Sequence, residues 1–506
     1  MTHELIAAVD LGSNSFRLII GRVEGDQIFA QDVLKEPVRL AAGLTSERIL
    51  DSAAQARGLV ALRKFGERLR GFAPQDVRAV GTNTLRAAHN ADDFLEHAER
   101  ALGFPIEVIA GREEARLIYL GVAHSLADAS HQQLVFDIGG GSTEFVIGRG
   151  FDTLALESLH MGCVSFSLRY FLGGNIDKIS LREAELAAQR ELDTIARAYR
   201  ELGWDLALAS SGTAKAITDI LELNGFSAGG ITRAGMARLR AELLRAGDVS
   251  RLNLAGVRAD RLPVLPGGFA IMSAIMSALG LDEVGFSSAA LCMGELHDLL
   301  GRFALCDLRD ATVEAFMRRY QVDEAQAARV AATACALLQQ VLPEAADPSH
   351  IKRRYLGWAA RLHELGFSVS RSGYHKHSAY ILANADMPGF SRQEQNRLAA
   401  LVLGHRGKLE RVRQFVSSED DWMLILCLRL AVILHRSRDD GGAVPLQIAA
   451  GRNGFVIEVS IAALSGRPLT AALLEEEELQ WEAAGIPLQL KVERSSVQEA
   501  SDDEFD

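Results

Sequence analysis

Apolar residues along the chain fall into two matched blocks. Leu5 to Val9 run without a break into a polar hinge, DLGSNS at 10–15, and FRLII follows at 16–20. The pattern predicts strand, turn, strand. A second apolar run, Leu134-Val135-Phe136, ends in Asp137, passes through GGGST at 139–143 and resumes as EFVIG at 144–148. Two copies of one plan imply an internal duplication. Between them the spacing predicts helices over 52–69, 91–102 and 113–125 and short strands over 77–80 and 106–109, the alternation of an α/β protein. After the second copy a helix is expected over 181–201, a strand over 206–209 leading into SSGT, and an alanine- and methionine-rich helix over 269–279.

From Asp310 to about Arg436 the texture is almost wholly helical, which marks a boundary. A DDGG turn at 439–442 then precedes alternating segments at 445–449 and 454–461, a helix over 468–484 and a strand over 488–493. The expected domains are 1–125 and 126–308 for the two related lobes, 309–438 for a helical domain and 439–506 for a small α+β module. The acidic end, EASDDEFD at 499–506, has the composition of a disordered tail.

Several domains are also what 506 residues require, since a single hydrophobic core stops growing well below that length. With 48% hydrophobic and 24% charged residues the chain reads as globular. No basic segment followed by an apolar stretch opens the chain, and no uncharged apolar run of about 18 residues is expected, so a cytoplasmic protein without a transmembrane segment is the reading. The five cysteines at 163, 292, 306, 335 and 427 are scattered and lack zinc or redox spacing, so reduced core thiols are expected. A net charge of −12 argues against general capture of nucleic acid.

The chemistry lies in the two turns. A glycine-rich turn after a strand offers consecutive backbone N–H groups to an anion at close range, because no Cβ intervenes. Neither GxxxxGK[ST] nor GxGxxG before a helix is present here. The strand formers after GGGST make this a hairpin. A lone hairpin of this kind is more often structural than functional, but here each copy follows a strand ending in aspartate, Asp10 or Asp137. An aspartate there is placed to hold a metal ion directly or through its water.

DLGSNSFRL at 10–18, GTNTLR at 81–86, GREEARLIYLGV at 111–122, DIGGGSTE at 137–144, SSGT at 210–213 and LPGG at 265–268, in that order, resemble the exopolyphosphatase / guanosine pentaphosphate phosphohydrolase family. The resemblance implies a duplicated actin-like, ribonuclease-H-like ATPase fold with its site between two lobes, followed by an all-α HD-like domain and a small α+β domain. It implies a catalytic glutamate at Glu114, as general base on water. The residues agree: Glu114 shares a helical face with Leu117, Ile118, Gly121 and Val122, where a carboxylate needs a reason, whereas Glu113 needs only the helix dipole. Arg86, read as lying just inside a helix, either contacts phosphate, as the resemblance implies, or pairs with a nearby carboxylate.

The expected phosphate contacts are Ser13, Asn14 and Ser15 in the first loop, Thr82, the second loop Gly139, Gly140, Gly141, Ser142 and Thr143, and the junction residues Gly212 and Thr213. Asp10, Asp137 and Glu144 are the expected Mg²⁺ environment; K⁺ and a homodimer are implied by the resemblance alone. The expected reaction is hydrolysis of the terminal phosphoanhydride of inorganic polyphosphate, with guanosine pentaphosphate as the alternative substrate. A kinase on the same fold and a non-catalytic polyphosphate or alarmone sensor are the more distant alternatives. In the helical domain His363-Glu364, His375, His377 and His405 are similar to the metal-dependent HD phosphohydrolases, but their HD dipeptide reads His-Glu and their later aspartate falls at Val432. The basic residues Lys352, Arg353, Arg354, Arg371, His377 and Arg406 suggest a track for a polyanion.

Overall fold

The computed structural model describes residues 5–24, 27–126, 130–303, 307–416, 418–438, 444–451 and 454–493. Cys306, the DDGG turn and the acidic tail lie outside them. The chain divides into two compact units, Met1–Asp307 and Leu308–Asp506.

The first unit is built twice on one plan. Its first half runs β1 (Leu5–Leu11), β2 (Phe16–Glu24), β3 (Gln27–Glu36), α1 (Ser52–Arg68), β4 (Val77–Gly81), α2 (Asn83–Ala87), α3 (Ala91–Leu102), β5 (Glu107–Val108) and α4 (Gly111–Ser125). The second runs β6 (Gln132–Ile138), β7 (Thr143–Arg149), β8 (Asp152–Leu159), α5 (Cys163–Tyr170), α6 (Lys178–Leu192), α7 (Ala196–Leu202), β9 (Leu206–Ser210), α8 (Ser211–Leu223), β10 (Ile231–Thr232), α9 (Arg233–Ala246), α10 (Leu265–Leu279), β11 (Glu283–Phe286) and α11 (Leu291–Phe303). The sheets are ordered β3-β2-β1-β4-β5 and β8-β7-β6-β9-β11-β10. In each, an antiparallel hairpin opens the sheet, Leu11 pairing with Phe16 and Ile138 with Thr143, and the next strand joins in parallel. This repeated order is the actin-like fold, and it brings both glycine-containing turns to hairpin tips.

Strand alternation assigns the faces. On β1, Ala7, Val9 and Leu11 enter a core with Phe16, Leu18, Phe65 and Phe94, while Ile6 and Ala8 pack with Ile19 against Cys292, Leu296 and Leu299 of α11. Asp10 continues the second face. Helices α4 and α11 lie backbone to backbone: a Cβ at Gly294 would stand 1.7 Å from the Leu117 carbonyl oxygen, so only glycine fits there.

Two expectations need correction. The helix expected over 181–201 breaks into α6 and α7 at Asp193, where the Thr194 hydroxyl bonds back to the Glu191 carbonyl (2.7 Å) and competes with the backbone ladder. An uncharged apolar run of 18 residues does exist, Leu262–Leu279, and it is long and apolar enough to cross a bilayer. Here 67% of it is buried, and α10 within it forms the centre of the second lobe's core through Phe269, Ile271, Met272 and Ile275.

The second unit opens with six helices, α12 (Leu308–Arg319), α13 (Glu324–Val341), α14 (Ile351–Leu362), α15 (Tyr374–Asn384), α16 (Arg392–Gly404) and α17 (Glu419–Leu434). It closes with β12 (Leu446–Ala450), β13 (Phe455–Ser460), α18 (Ile461–Leu464), α19 (Pro468–Ala483) and β14 (Leu488–Glu493). The three strands form one sheet, β12-β13-β14, and Trp481 of α19 is fully buried.

Candidate active site

A cleft of ≈140 Å³ opens in the first unit where the two hairpin tips face each other. Gly12, Ser13, Asn14 and Ser15 line it from the first lobe, and Gly139, Gly140 and Ser142 from the second. The tips press together: a Cβ at Gly140 would stand 2.8 Å from the Ser13 Cβ. The Gly139 N–H closes its own turn on the Ser142 carbonyl (2.9 Å). Among the described residues the N–H groups of Gly140, Gly141 and Ser142 have no protein acceptor. A loop of unsatisfied donors fits an anion.

Glu114 lines the cleft from the first turn of α4. It is buried, and its Oε2 accepts a hydrogen bond from Arg86 Nη1 at 2.9 Å. Its Oε1 has no partner among the described residues, so one oxygen is held and the other remains available. The same Arg86 nitrogen donates to the Ile109 carbonyl (2.7 Å), which fixes the guanidinium. Arg86 sits in the last turn of the five-residue α2 rather than at a helix start, and it does not line the cleft. Of its two readings, the ion pair with a carboxylate is the one observed, and the carboxylate is Glu114.

Asp10 and Asp137 both line the cleft. The Asp10 carboxyl is pushed up to about 8 by burial and by the charges of Glu114 and Asp137. Asp137 is pushed up to about 6 by burial, against a 2.6 Å hydrogen bond from Ser210. Glu144 is 1% exposed and accepts from Ser158 Oγ at 2.8 Å; burial and Glu114 raise it well above its ordinary value. Glu144 does not line the cleft, and among the described residues no three acidic, histidine or cysteine side chains are arranged to hold a metal ion. The expected three-carboxylate set is therefore corrected to two carboxylates facing the cleft with Glu144 behind them. The chemistry still fits a divalent cation. Asp10 Oδ1 is buried with no hydrogen-bond donor, and burial beside other carboxylates makes Asp10 and Asp137 hold protons that a divalent cation would displace.

Thr82, Gly212 and Thr213 line the cleft as expected, and Ser13 does so while its hydroxyl accepts from Thr84 (2.8 Å). Two expected contacts do not. Gly141 lies against Asn83, whose Oδ1 would be 2.3 Å from a Cβ there, and Thr143 turns its hydroxyl to the Met161 carbonyl (2.6 Å). Glu113 is more than a helix-dipole residue: it is buried and bonded twice by Arg116 (2.8 and 2.7 Å).

Three cations that the sequence pattern did not single out complete the cleft: Arg17, Lys35 and Arg261. Arg17 had a signal, a charge inside an apolar strand; it pairs in register with Asp10 across the β1–β2 ladder. Arg261 comes from a loop without periodicity and lies over the α8 N-terminus, where a Cβ at Gly212 would meet its Nη2 at 2.1 Å. Ser211, at the same junction, has φ +87° and lines the cleft, a strained position of the kind found at ligand sites. The Lys35 ammonium is pushed down to about 8 by burial and by Arg261, Arg17 and Arg258. Crowded cations of this kind call for an anion. The cleft continues into an outer pocket of ≈550 Å³ walled by Lys35, Arg39, Arg258 and Arg261, the last two paired with Asp260 (3.1 and 3.8 Å).

In the second unit the expected track is not an open row. Lys352 pairs with Asp420 (2.9 Å), Arg353 bonds the Ala345 carbonyl (3.0 Å), and Arg354 pairs with Asp310 (2.9 Å) and lies over Trp358. Arg371 is exposed, His377 is half-buried and Arg406 lies over Tyr374.

A duplicated actin-like unit whose facing loops, buried carboxylates and crowded cations converge on one cleft defines a phosphoanhydride-processing hydrolase. The model of the Ppx/GppA phosphatase family matches residues 20–303, and that of Ppx/GppA phosphatase domain III matches 308–478. The chain belongs to this family. It is 37% identical over 490 residues to a guanosine-5'-triphosphate,3'-diphosphate pyrophosphatase of Aeromonas hydrophila, covering 96% of this chain and 98% of that one. A protein of the same name from Vibrio cholerae is 35% identical over 493 residues, covering 97% and 99%. Among solved structures, an exopolyphosphatase of Cytophaga hutchinsonii matches with TM-score 0.54 and 24% identity, covering 58% of this chain and 97% of that one. That likeness concerns the fold.

Proposed function

We propose that the protein removes the terminal 5′-phosphate of guanosine pentaphosphate by hydrolysis. The observation that carries this reading is the cleft itself, a carboxylate with one free oxygen facing two anion-binding loops. The outer pocket and its guanidiniums support a substrate with a second cluster of phosphates. The near full-length relatives bear the name of this activity. Inorganic polyphosphate, the substrate first expected from the sequence, is the second reading, favoured by the same cations.

In this mechanism the N–H groups of the second loop and Thr213 hold the non-bridging oxygens of the terminal phosphate. Arg86 holds Glu114 Oε2 and aims Oε1 at a water in line with the bond to be broken. Glu114 takes the proton as the water oxygen bonds to phosphorus, the phosphoanhydride bond breaks, and the leaving phosphate carries its charge toward Arg17, Lys35 and Arg261. A Mg²⁺ ion, held by Asp10 and Asp137 with its water, would supply charge neutralisation across the phosphate oxygens.

Orthophosphate release from guanosine pentaphosphate and from long-chain polyphosphate, measured side by side, tests the reading. A higher kcat/KM on the nucleotide is expected. Turnover of polyphosphate alone would shift the assignment to the second reading.

A further inference from the structure

The second unit contains a cavity of ≈540 Å³, within the range of about 300–1,000 Å³ usual for small-molecule sites. One wall is apolar. Val432 and Ile433 come from α17, and Leu469 and Leu473 from α19, which also brings Glu476, Glu477 and Gln480 to the cavity. Aromatic and cationic groups also line it: Phe367 and Tyr374 stack with centroids 4.2 Å apart, Arg406 lies 5.4 Å from the Tyr374 ring and Arg438 5.7 Å from Phe367.

His405, which lines the cavity, is committed elsewhere. His405 Nδ1 faces the Val402 carbonyl (2.5 Å), so its Nε2 takes the Tyr374 hydroxyl (3.0 Å). Glu364, beside buried His363, is held by the Arg438 guanidinium, so a fixed organic cation stands next to the carboxylate. Val432, where the HD phosphohydrolases have an aspartate, belongs to the apolar wall. The cavity has therefore been built for a different guest from a metal ion.

The cations decide which guest. Arg429 is consumed by Glu477 (2.6 and 2.5 Å) and the carbonyls of Gly404 and Gly407, and Arg438 by Glu364 and Asp323. Arg406 and Arg436 are exposed at the cavity and have no carboxylate partner among the described residues. A ligand must then satisfy two guanidiniums and cover an apolar surface.

We propose that this cavity binds a nucleoside polyphosphate, with its base on the wall formed by Val432 and Leu473 and its phosphates on Arg406 and Arg436. An inorganic chain carries the same anion but leaves the wall in contact with water. The proposal does not depend on the reading of the cleft.

Hydrogen exchange on the full-length protein, with guanosine 5′-diphosphate and inorganic pyrophosphate as probes, tests it. The nucleotide should protect amides over 366–375 and 429–438, at a half-saturating concentration at least about tenfold lower than pyrophosphate requires. Arg406→Glu with Arg436→Glu should abolish protection by both probes. Leu473→Glu should abolish only the preference for the nucleotide; each variant is checked for an unchanged melting temperature. Absence of protection by the nucleotide, equal protection by both probes in the wild type, or protection that survives the double substitution would overturn the proposal.

Discussion

Glu114 divides its two oxygens between an arginine and the cleft, and the substitutions that follow from this are specific. Glu114→Gln keeps the shape but removes the base, so kcat on guanosine pentaphosphate should fall by roughly 10² to 10⁴, with KM little changed. Arg86→Met removes the Nη1 that bonds both the Ile109 carbonyl and Glu114 Oε2, so Glu114 is no longer aimed. We expect kcat to fall by about tenfold or more at unchanged KM, and a rise in KM alone would return Arg86 to direct phosphate contact. Thr143→Val should leave KM intact and cost about 1 kcal/mol of stability in a denaturant titration, since its hydroxyl serves Met161. Glu114 was legible in the sequence because a carboxylate on an apolar helical stripe stands out. Thr143 was misread because membership of a glycine-rich motif says nothing about which way a side chain turns.

At the scale of elements, α4 is fixed by a buried charge lattice. Asp298 of α11 accepts from Arg78 of β4 (2.5 Å), Arg116 of α4 (2.5 Å) and Arg302 (3.1 Å), and Arg116 also holds Glu113, the neighbour of Glu114. Burial would raise the Asp298 carboxyl, but Arg116, Arg78 and Arg302 hold it well below the ordinary carboxylate range. Asp298→Asn leaves three guanidiniums short of a buried partner and should cost about 3–5 kcal/mol in chemical unfolding, with a lower kcat in the fraction that stays folded. A cost near zero would mean that the lattice is solvated. The hairpins and their duplication were plain from apolar runs ending in aspartate. The lattice was not, because its members lie as far apart in sequence as Arg78 and Asp298. The helix expected from 269 starts earlier, at Leu265, because Pro266 stands in its first turn, where proline is compatible with a helix.

Over the whole molecule, pH couples the cleft to stability. Asp10 and Asp137 have folded values of about 8 and about 6 against 3.8 when unperturbed, so the folded chain keeps protons that the unfolded chain releases. Their contribution is full below about pH 4 and is lost as pH rises, first through Asp137 and then through Asp10. In chelator, the melting temperature should fall between about pH 5 and pH 8, and Mg²⁺ should restore more of it at the upper end, where the carboxylates ionise. Equal restoration across that range would remove these aspartates from the cation site.

Central to the proposed reaction is attack of water on the terminal phosphorus under the control of Glu114. Turnover of guanosine pentaphosphate in ¹⁸O-labelled water tests this most directly. The label should appear in the released orthophosphate and not in the nucleotide product, at a rate that collapses in Glu114→Gln. Label in the nucleotide, or an undiminished rate in that variant, would contradict it.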